Sequence, residues 1–471
     1  MKPVMKALTF GLVLPQLLAA ALLPAPNIAA ADVSAAGNKR AQVERRAKLD
    51  NGLRLVLSQQ DSVPIVAIKC LVDGGARVDP AIHPGLAGFT GALLDEGTPG
   101  RNSQEIAKLA DSLGGSFSAG ASTDWMEINA VFLARDFEQA LDLVAQSLAA
   151  PTFPEEEVER IRKQILGGLK ASEDEPGWVA SRAFDAALFG DAAYGHPIAG
   201  NPESIKALRR EDLVAFHGRE MTPSRTICAI VGDIETTTME ASARRQLGAW
   251  QPTNAPAQVE ARTATKAPPA GTVVVDRPLE QANVILGQTG IARNDPDYFP
   301  LVVMNHILGG GGFTSRLTES VRTREGLAYS VYSRFDASRL PGPFQVVLQT
   351  KVASASKAIA LVRQEIGSMH AKGAKAEELA AAQDYLTGNF PLHLDSTAKL
   401  ADLFARLEYF ELGADYLTQY PERIRAVSIA DVARVARRHL KPESLVTAVV
   451  GPASRLAEQG IVDESGSDQT P

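Results

Sequence analysis

Residues 202–232 read PESIKALRREDLVAFHGREMTPSRTICAIVG, and residues 421–451 read PERIRAVSIADVARVARRHLKPESLVTAVVG. The two align without a gap: Pro202 falls on Pro421, Ile205 on Ile424, Asp212 on Asp431, Pro223 on Pro442 and Gly232 on Gly451. Each copy spaces its apolar residues as one helical face, turns at a proline, and ends in a β-branched strand closed by glycine. The period, about 220 residues, is far too long for a solenoid. It implies duplication of a larger unit, and therefore two similar domains in tandem.

Outward from the repeat, each half opens with strands. The first has them at 51–58 and 64–75, then at 117–133; helices are expected at about 85–95, 103–113, 135–148 and 155–172. The second has strands at 272–276, 282–288, 328–336 and 343–350, with helices near 297–308 and 314–325. Helices alternating with antiparallel-looking strands give an α+β class: two homologous domains, each a mainly antiparallel sheet backed by helices, like the halves of a clam shell. The expected division is 42–250 and 272–457. Residues 251–271, rich in Pro, Ala and Thr with no apolar period, read as a linker. Residues 458–471 are acidic and polar and read as a disordered tail.

The N-terminus reads as an address. Lys2 and Lys6 precede an apolar run at 7–23 that Pro15 interrupts, and Ala29-Ala30-Ala31 offers a small-residue cleavage site. Residues 1–31 are therefore expected to be a secretory signal peptide, too short for a stable membrane span. In a bacterial cell the product would be periplasmic or secreted, where disulfides persist. Cys70 and Cys228 both lie in strand-like runs; they either pair across neighbouring strands or stand as two buried thiols.

Composition narrows the function. A net charge of −7 argues against a nucleic-acid partner. Two cysteines cannot form a four-cysteine zinc site, and no two of the seven histidines stand three to five residues apart. No local metal pair is present.

Several segments together carry a resemblance. They are NGLRLVL from residue 51, VDGGARVDP and HPGLAGFTGALLDEGT, then GGSFSAGASTDW at 114–125, EEEVERIRKQILGGLKASEDEP at 155–176, YGHPIAG at 194–200, and GGGGFTSRLTESVRTREGLAYSVYS at 309–333. In this order they resemble the insulinase and pitrilysin family of zinc peptidases, to which the mitochondrial processing peptidases belong. The resemblance runs from about residue 47 to 455 and implies two homologous α/β domains.

The chain departs from that family where its metal should sit. Active members carry H-x-x-E-H on a helix, two histidines on one face for zinc and a glutamate to handle the metal-bound water. Here those positions fall on Gly88, Gly91 and Ala92, and the later glutamate ligand falls on Gly168. None of these side chains can coordinate a metal or move a proton. No zinc or other cofactor is therefore expected in this chain. His83, Asp95, Glu96 and Asp124, near the motif, read as turn residues and helix caps. Closure of the helices over the missing metal is expected.

What the resemblance leaves is Arg322 and Tyr329. In isolation Arg322, three residues from both Glu319 and Glu325, reads as a surface ion-pair partner. In the family an arginine and a tyrosine at this spacing face the zinc across the chamber, where they bind the substrate backbone and steady the oxyanion. The glycine run 309–312 lacks the ending of a phosphate loop and reads as a flexible turn. The strand at 114–119 resembles the family's substrate-side edge, able to add a peptide by main-chain bonds. The expectation is thus a non-catalytic subunit of a heterodimeric zinc endopeptidase. It would act on peptide substrates beside a homologous, zinc-bearing partner, without a nucleic-acid or membrane-spanning role. The alternative is a zinc-free peptide-binding or assembly protein.

Overall fold

The computed structural model describes residues 45–252 and 270–462. The expected signal at 1–31, most of the linker at 251–271 and most of the tail at 458–471 lie outside the described residues. The first half runs β1 (Arg45–Lys48), β2 (Arg54–Gln59), β3 (Ile65–Asp73), α1 (Leu86–Gly91), β4 (Gly97–Thr98), β5 (Arg101–Asn102), α2 (Ser103–Ser112), β6 (Ser116–Ala121), β7 (Trp125–Leu133), α3 (Phe137–Ala149), α4 (Glu155–Glu173), α5 (Pro176–Phe189), α6 (Pro202–Ala207), α7 (Arg210–Glu220), β8 (Thr226–Gly232) and α8 (Thr236–Gln246). The second runs β9 (Gly271–Asp276), β10 (Gln281–Thr289), α9 (Tyr298–Asn305), β11 (Ala328–Phe335), β12 (Pro343–Lys351), α10 (Ala355–Lys372), α11 (Ala376–Asn389), α12 (Thr397–Tyr409), α13 (Tyr416–Arg425), α14 (Ile429–His439), β13 (Val446–Gly451) and α15 (Ala453–Ala457). The sequence repeat is α6–α7–β8 in one half and α13–α14–β13 in the other.

The main sheets have strand orders β1-β2-β8-β3-β7-β6 and β11-β12-β10-β13-β9. They are mainly antiparallel, with one parallel pair each, β2–β8 and β13–β9. Two of the elements expected in the first half take a different form. The run 117–133 is a hairpin, because Ser122 and its neighbours turn the chain; the Ser122 side chain accepts from the Trp125 N–H. The first helix stops at Gly91 and loosens into tight turns up to Glu96. Two glycines in two turns cannot sustain it.

The strand β8 is buried along its whole length. Such a strand needs cover on both faces. Cys228 and Ile230 face a core built by α1, α3, α4, α7 and α8. Ile227, Ala229 and Val231 face α12, a helix from the other half, through Phe404, Ala401 and Ala405. The second sheet returns the arrangement. Val446, Ala448 and Val450 of β13 face α5 of the first half, which buries Phe184, Ala180 and Leu188 there. The same repeat positions thus meet the exchanged helix in both halves. Phe184 and Phe404 are fully buried, each worth roughly 2–3 kcal/mol of hydrophobic stabilisation.

A polar knot locks the exchange. Tyr409, the last residue of α12, donates to Asp73 Oδ1 (2.7 Å) at the end of β3. Asp73 also binds Arg77. Asp124, in the β6–β7 turn, accepts from the Tyr194 hydroxyl (2.7 Å) and from the Arg339 N–H (2.9 Å) of the second half. Burial opposes the Asp73 charge, yet Arg77 and the Tyr409 hydroxyl hold its carboxyl below the usual range. For Asp124 burial wins, and its carboxyl is pushed up despite those donors.

Cys70 and Cys228 are register partners on β3 and β8, with Cα atoms 4.1 Å apart, and they form a disulfide. It ties residues 158 apart in sequence, which by loop-closure entropy is worth up to about 5 kcal/mol. The Cys70→Ser, Cys228→Ser double variant is therefore expected to lose about 2–5 kcal/mol of stability in denaturant titration. The parent chain, denatured without reductant, should show no titratable thiol.

Candidate functional site

Of the positions expected to mark a degenerate metal site, Gly88 and Gly91 lie on α1. Asp79 caps that helix from outside, its two carboxylate oxygens accepting from the Gly85 and Ala87 N–H groups, both at 2.8 Å. At two of the four expected positions main chain leaves no room for a side chain. A Cβ on Gly88 would overlap the Ile198 carbonyl oxygen in the YGHPIAG loop. A Cβ on Gly91 would stand 2.6 Å from the Gly120 carbonyl carbon of β6. The space has therefore closed, though not between two helices as expected. A loop and an edge strand fill it, while Gly168 and its neighbour Gly167 on α4 face open space. Ala92 lies one residue beyond the helix. These residues do not fit a zinc ion: none of the four side chains can coordinate a metal, and Gly88, an expected ligand position, and Gly91, the expected base position, cannot carry a longer side chain unless backbone moves.

The flanking acids have other work. Glu96 pairs with Arg160 (2.6 Å). Asp124 is the hub of the polar knot, not a cap. Asp95 Oδ2 accepts from the Ala119 N–H of β6 (3.2 Å). That bond takes up a main-chain donor on the edge strand expected to receive a peptide, and α1 packs on Gly120 beside it. Burial, with help from Glu96, pushes the Asp95 carboxyl up to about 6.

Among the described residues, one group of acid and histidine side chains brings ligand atoms within 4.8 Å: Asp295, Asp297 and His439. Asp297 is already held by Arg434 (2.6 Å), Arg438 (3.2 Å) and His439 (2.7 Å). Two guanidinium groups stand where a cation would have to sit, so this is an ion-pair cluster.

Arg322 and Tyr329 are brought together. The Arg322 Cζ lies 5.4 Å from the Tyr329 ring centroid and 5.0 Å from that of Phe313. Tyr329 is 83% and Phe313 78% exposed. Two local distortions build this stack. The turn carrying Arg322, Thr318–Arg324, is wound as a π-helix. Glu319 consequently meets Arg324 (3.6 Å), five residues on, and Glu325 meets Lys357 (2.6 Å). The i,i+3 ion pairs expected for Arg322 do not form, and its guanidinium is left to the two rings. Tyr329 sits at a bulge, where the β11–β12 register skips from Ala328 to Ser330; bulges re-aim side chains out of a sheet. Phe313 was not singled out in the sequence; an aromatic directly after four glycines was the available signal. The glycine run is also less loose than expected, since a Cβ on Gly309 would meet the Ser333 N at 2.6 Å.

Residues 54–202 match the insulinase family, peptidase family M16, and residues 207–386 match the peptidase M16 inactive domain. This chain belongs to peptidase family M16. An uncharacterized zinc protease of Mycobacterium tuberculosis is 30% identical over 418 residues, 87% of this chain and 93% of that protein. A non-peptidase homolog of Helicobacter pylori is 24% identical over 397 residues, 84% of this chain and 91% of its own. The crystal structure of a peptidase M16 inactive domain from Pseudomonas fluorescens superposes with a TM-score of 0.82 at 29% identity, covering 87% of this chain and 97% of that one. Among the described residues of this M16 chain no helix is long and apolar enough to cross a membrane.

Two outcomes are expected. Rebuilding the motif with Gly88→His, Gly91→Glu and Ala92→His should cost more than about 3 kcal/mol, because two side chains must displace backbone. By elemental analysis the variant should bind no zinc beyond the parent's level. Asp95 holds a proton more tightly in the fold than in the unfolded chain. Its contribution therefore favours the fold at low pH and is lost as pH rises from about 4 through 6. Asp95→Asn should flatten that slope and raise stability at pH 7.5 by about 1–2 kcal/mol, read from urea midpoints across pH.

Proposed function

We propose that this M16 chain is the non-catalytic, substrate-binding subunit of a heterodimeric periplasmic zinc endopeptidase. The observation that carries the reading is the contrast within one chain: main chain closes on Gly88 and Gly91, an expected ligand position and the expected base position, while an exposed Tyr329 and a half-buried Arg322 stand stacked. A homologous partner with an intact H-x-x-E-H motif would hold the zinc. Arg322 would bind the carbonyls of the peptide and, with the Tyr329 hydroxyl, donate to the oxygen on which negative charge develops. Two aromatic faces hold the guanidinium in place without neutralising it, which suits a group aimed at an anion. The buried disulfide, with the leader expected at 1–31, supports an oxidising, exported location.

A second reading has an observation of its own. The Asp95 bond to Ala119 and the packing of α1 on Gly120 cover part of the edge of β6 where a peptide would add, which favours the assembly form of the zinc-free alternative over its peptide-binding form. The Helicobacter relative's name is consistent with either reading.

Co-expression with the H-x-x-E-H homologue from the same genome, then gel filtration and a peptide-cleavage assay, separates the two. The expected result is a stable pair that cleaves peptide. Arg322→Ala combined with Tyr329→Phe should lower kcat/KM by about 10²-fold or more without loss of assembly. Undiminished cleavage by the double variant would exclude a role in trans and leave the assembly reading.

A further inference from the structure

A cleft of about 900 Å³ opens between the two halves, away from the residues discussed so far as a site. Trp125 and Asn129 of β7 form one wall, side chains of α12 and α13 a second, and the chain just after β11 a third. Its volume is that of a small-molecule site. Much of the lining is aromatic. Phe390 stacks on Tyr420 at 4.2 Å between centroids, and Trp125 and Phe410 meet edge to face at 6.1 Å.

One charge in this lining has no counter-charge. The Arg293 guanidinium lies 3.6 Å over the Tyr298 ring and 5.3 Å from the Tyr416 ring, and it donates to the Tyr416 hydroxyl (2.7 Å). Among the described residues no carboxylate stands within ion-pair distance of it. The other arginine and lysine of the lining are each satisfied: Lys399 holds Asp395 (2.8 Å) and Arg406 holds Asp402 (2.8 Å). The phenol beside Arg293 does not neutralise it, since burial pushes Tyr416 up to about 12 and keeps it protonated. A half-buried guanidinium with one uncharged hydrogen-bond partner retains donors for a ligand. The fixed fork of arginine matches a carboxylate, and the aromatic walls match an apolar body.

We propose that this cleft binds an apolar carboxylate, with Arg293 holding the acid group and the aromatic walls holding an aromatic or alkyl body. Two sources share this chemistry: the C-terminus of a peptide ending in a bulky apolar residue, and a medium-length fatty acid. The site shares no residue with the Phe313–Arg322–Tyr329 stack, so it stands or falls independently of the subunit reading.

The test is titration calorimetry on the intact mature chain, with Trp125 fluorescence as a second signal. Four probes are used: decanoate, decanol, N-acetyl-diphenylalanine and its C-terminal amide. At least one carboxylate is expected to bind saturably and at least about tenfold more tightly than its neutral counterpart. A preference for decanoate over decanol identifies an acyl chain; a preference for the dipeptide acid over its amide identifies a peptide end. Arg293→Gln should remove that preference, and Arg293→Lys should keep part of it. If neither carboxylate outbinds its neutral counterpart, or if Arg293→Gln binds as the parent does, the proposal is overturned. The wild-type series decides even if a variant folds poorly.

Discussion

Each central strand of this molecule is apolar on both faces, and each half provides helices enough to cover only one face of its own sheet. The rest of the architecture follows from that constraint. α12 must cross to the first sheet and α5 to the second, because Ile227, Ala229 and Val231, like Val446, Ala448 and Val450, would otherwise face water. The small residues Ala229 and Ala448 let the crossing helices approach closely. Once crossed, Tyr409 arrives at Asp73 and Arg339 arrives at Asp124, and the buried carboxylates find the donors they need. Hydrophobic cover sets where the helices go; the polar knot fixes the register in which they arrive.

The same economy explains the vacated metal site. Removing side chains from a helix face leaves a void, and a void costs contacts. Here glycine at 88 and 91 allows backbone from the 194–200 loop and from β6 to pack directly against α1. Arg322 shows the opposite treatment. A π-wound turn and a strand bulge, both costly in regular hydrogen bonding, hold a half-buried cation and an exposed phenol together. Such distortions gather where a surface is used.

Much of this was legible in the sequence. The repeat at 202–232 and 421–451 defined the α+β class and the duplication, because helix and strand periods survive in both copies. The motif positions Gly88, Gly91, Ala92 and Gly168 told what the site lacks, since glycine and alanine have no ligand chemistry in any fold. What periodicity cannot tell is the partner of an apolar face. The helix at 176–189 was passed over, and nothing in 397–409 announced that it belongs to the other sheet. Cys70 and Cys228 could be placed on strands, yet only the strand order made β3 and β8 neighbours. Arg322 and Tyr329 stand out only through the family resemblance, and the freedom of Arg322 from Glu319 depends on a π-turn that no local propensity signals. Asp124 does lie in a turn, as read, but its part as a hub is not legible because its partners come from distant segments.

The exchanged helices also order events in time. The first sheet is complete at Gly232, but the helix that covers its second face does not begin until Thr397. At synthesis rates of ~5–20 residues per second, that face waits on the order of ten to thirty seconds for its cover. A nascent first half is therefore sticky by design, and a chain interrupted before residue 409 would present an open apolar sheet to whatever holdase or protease reached it first.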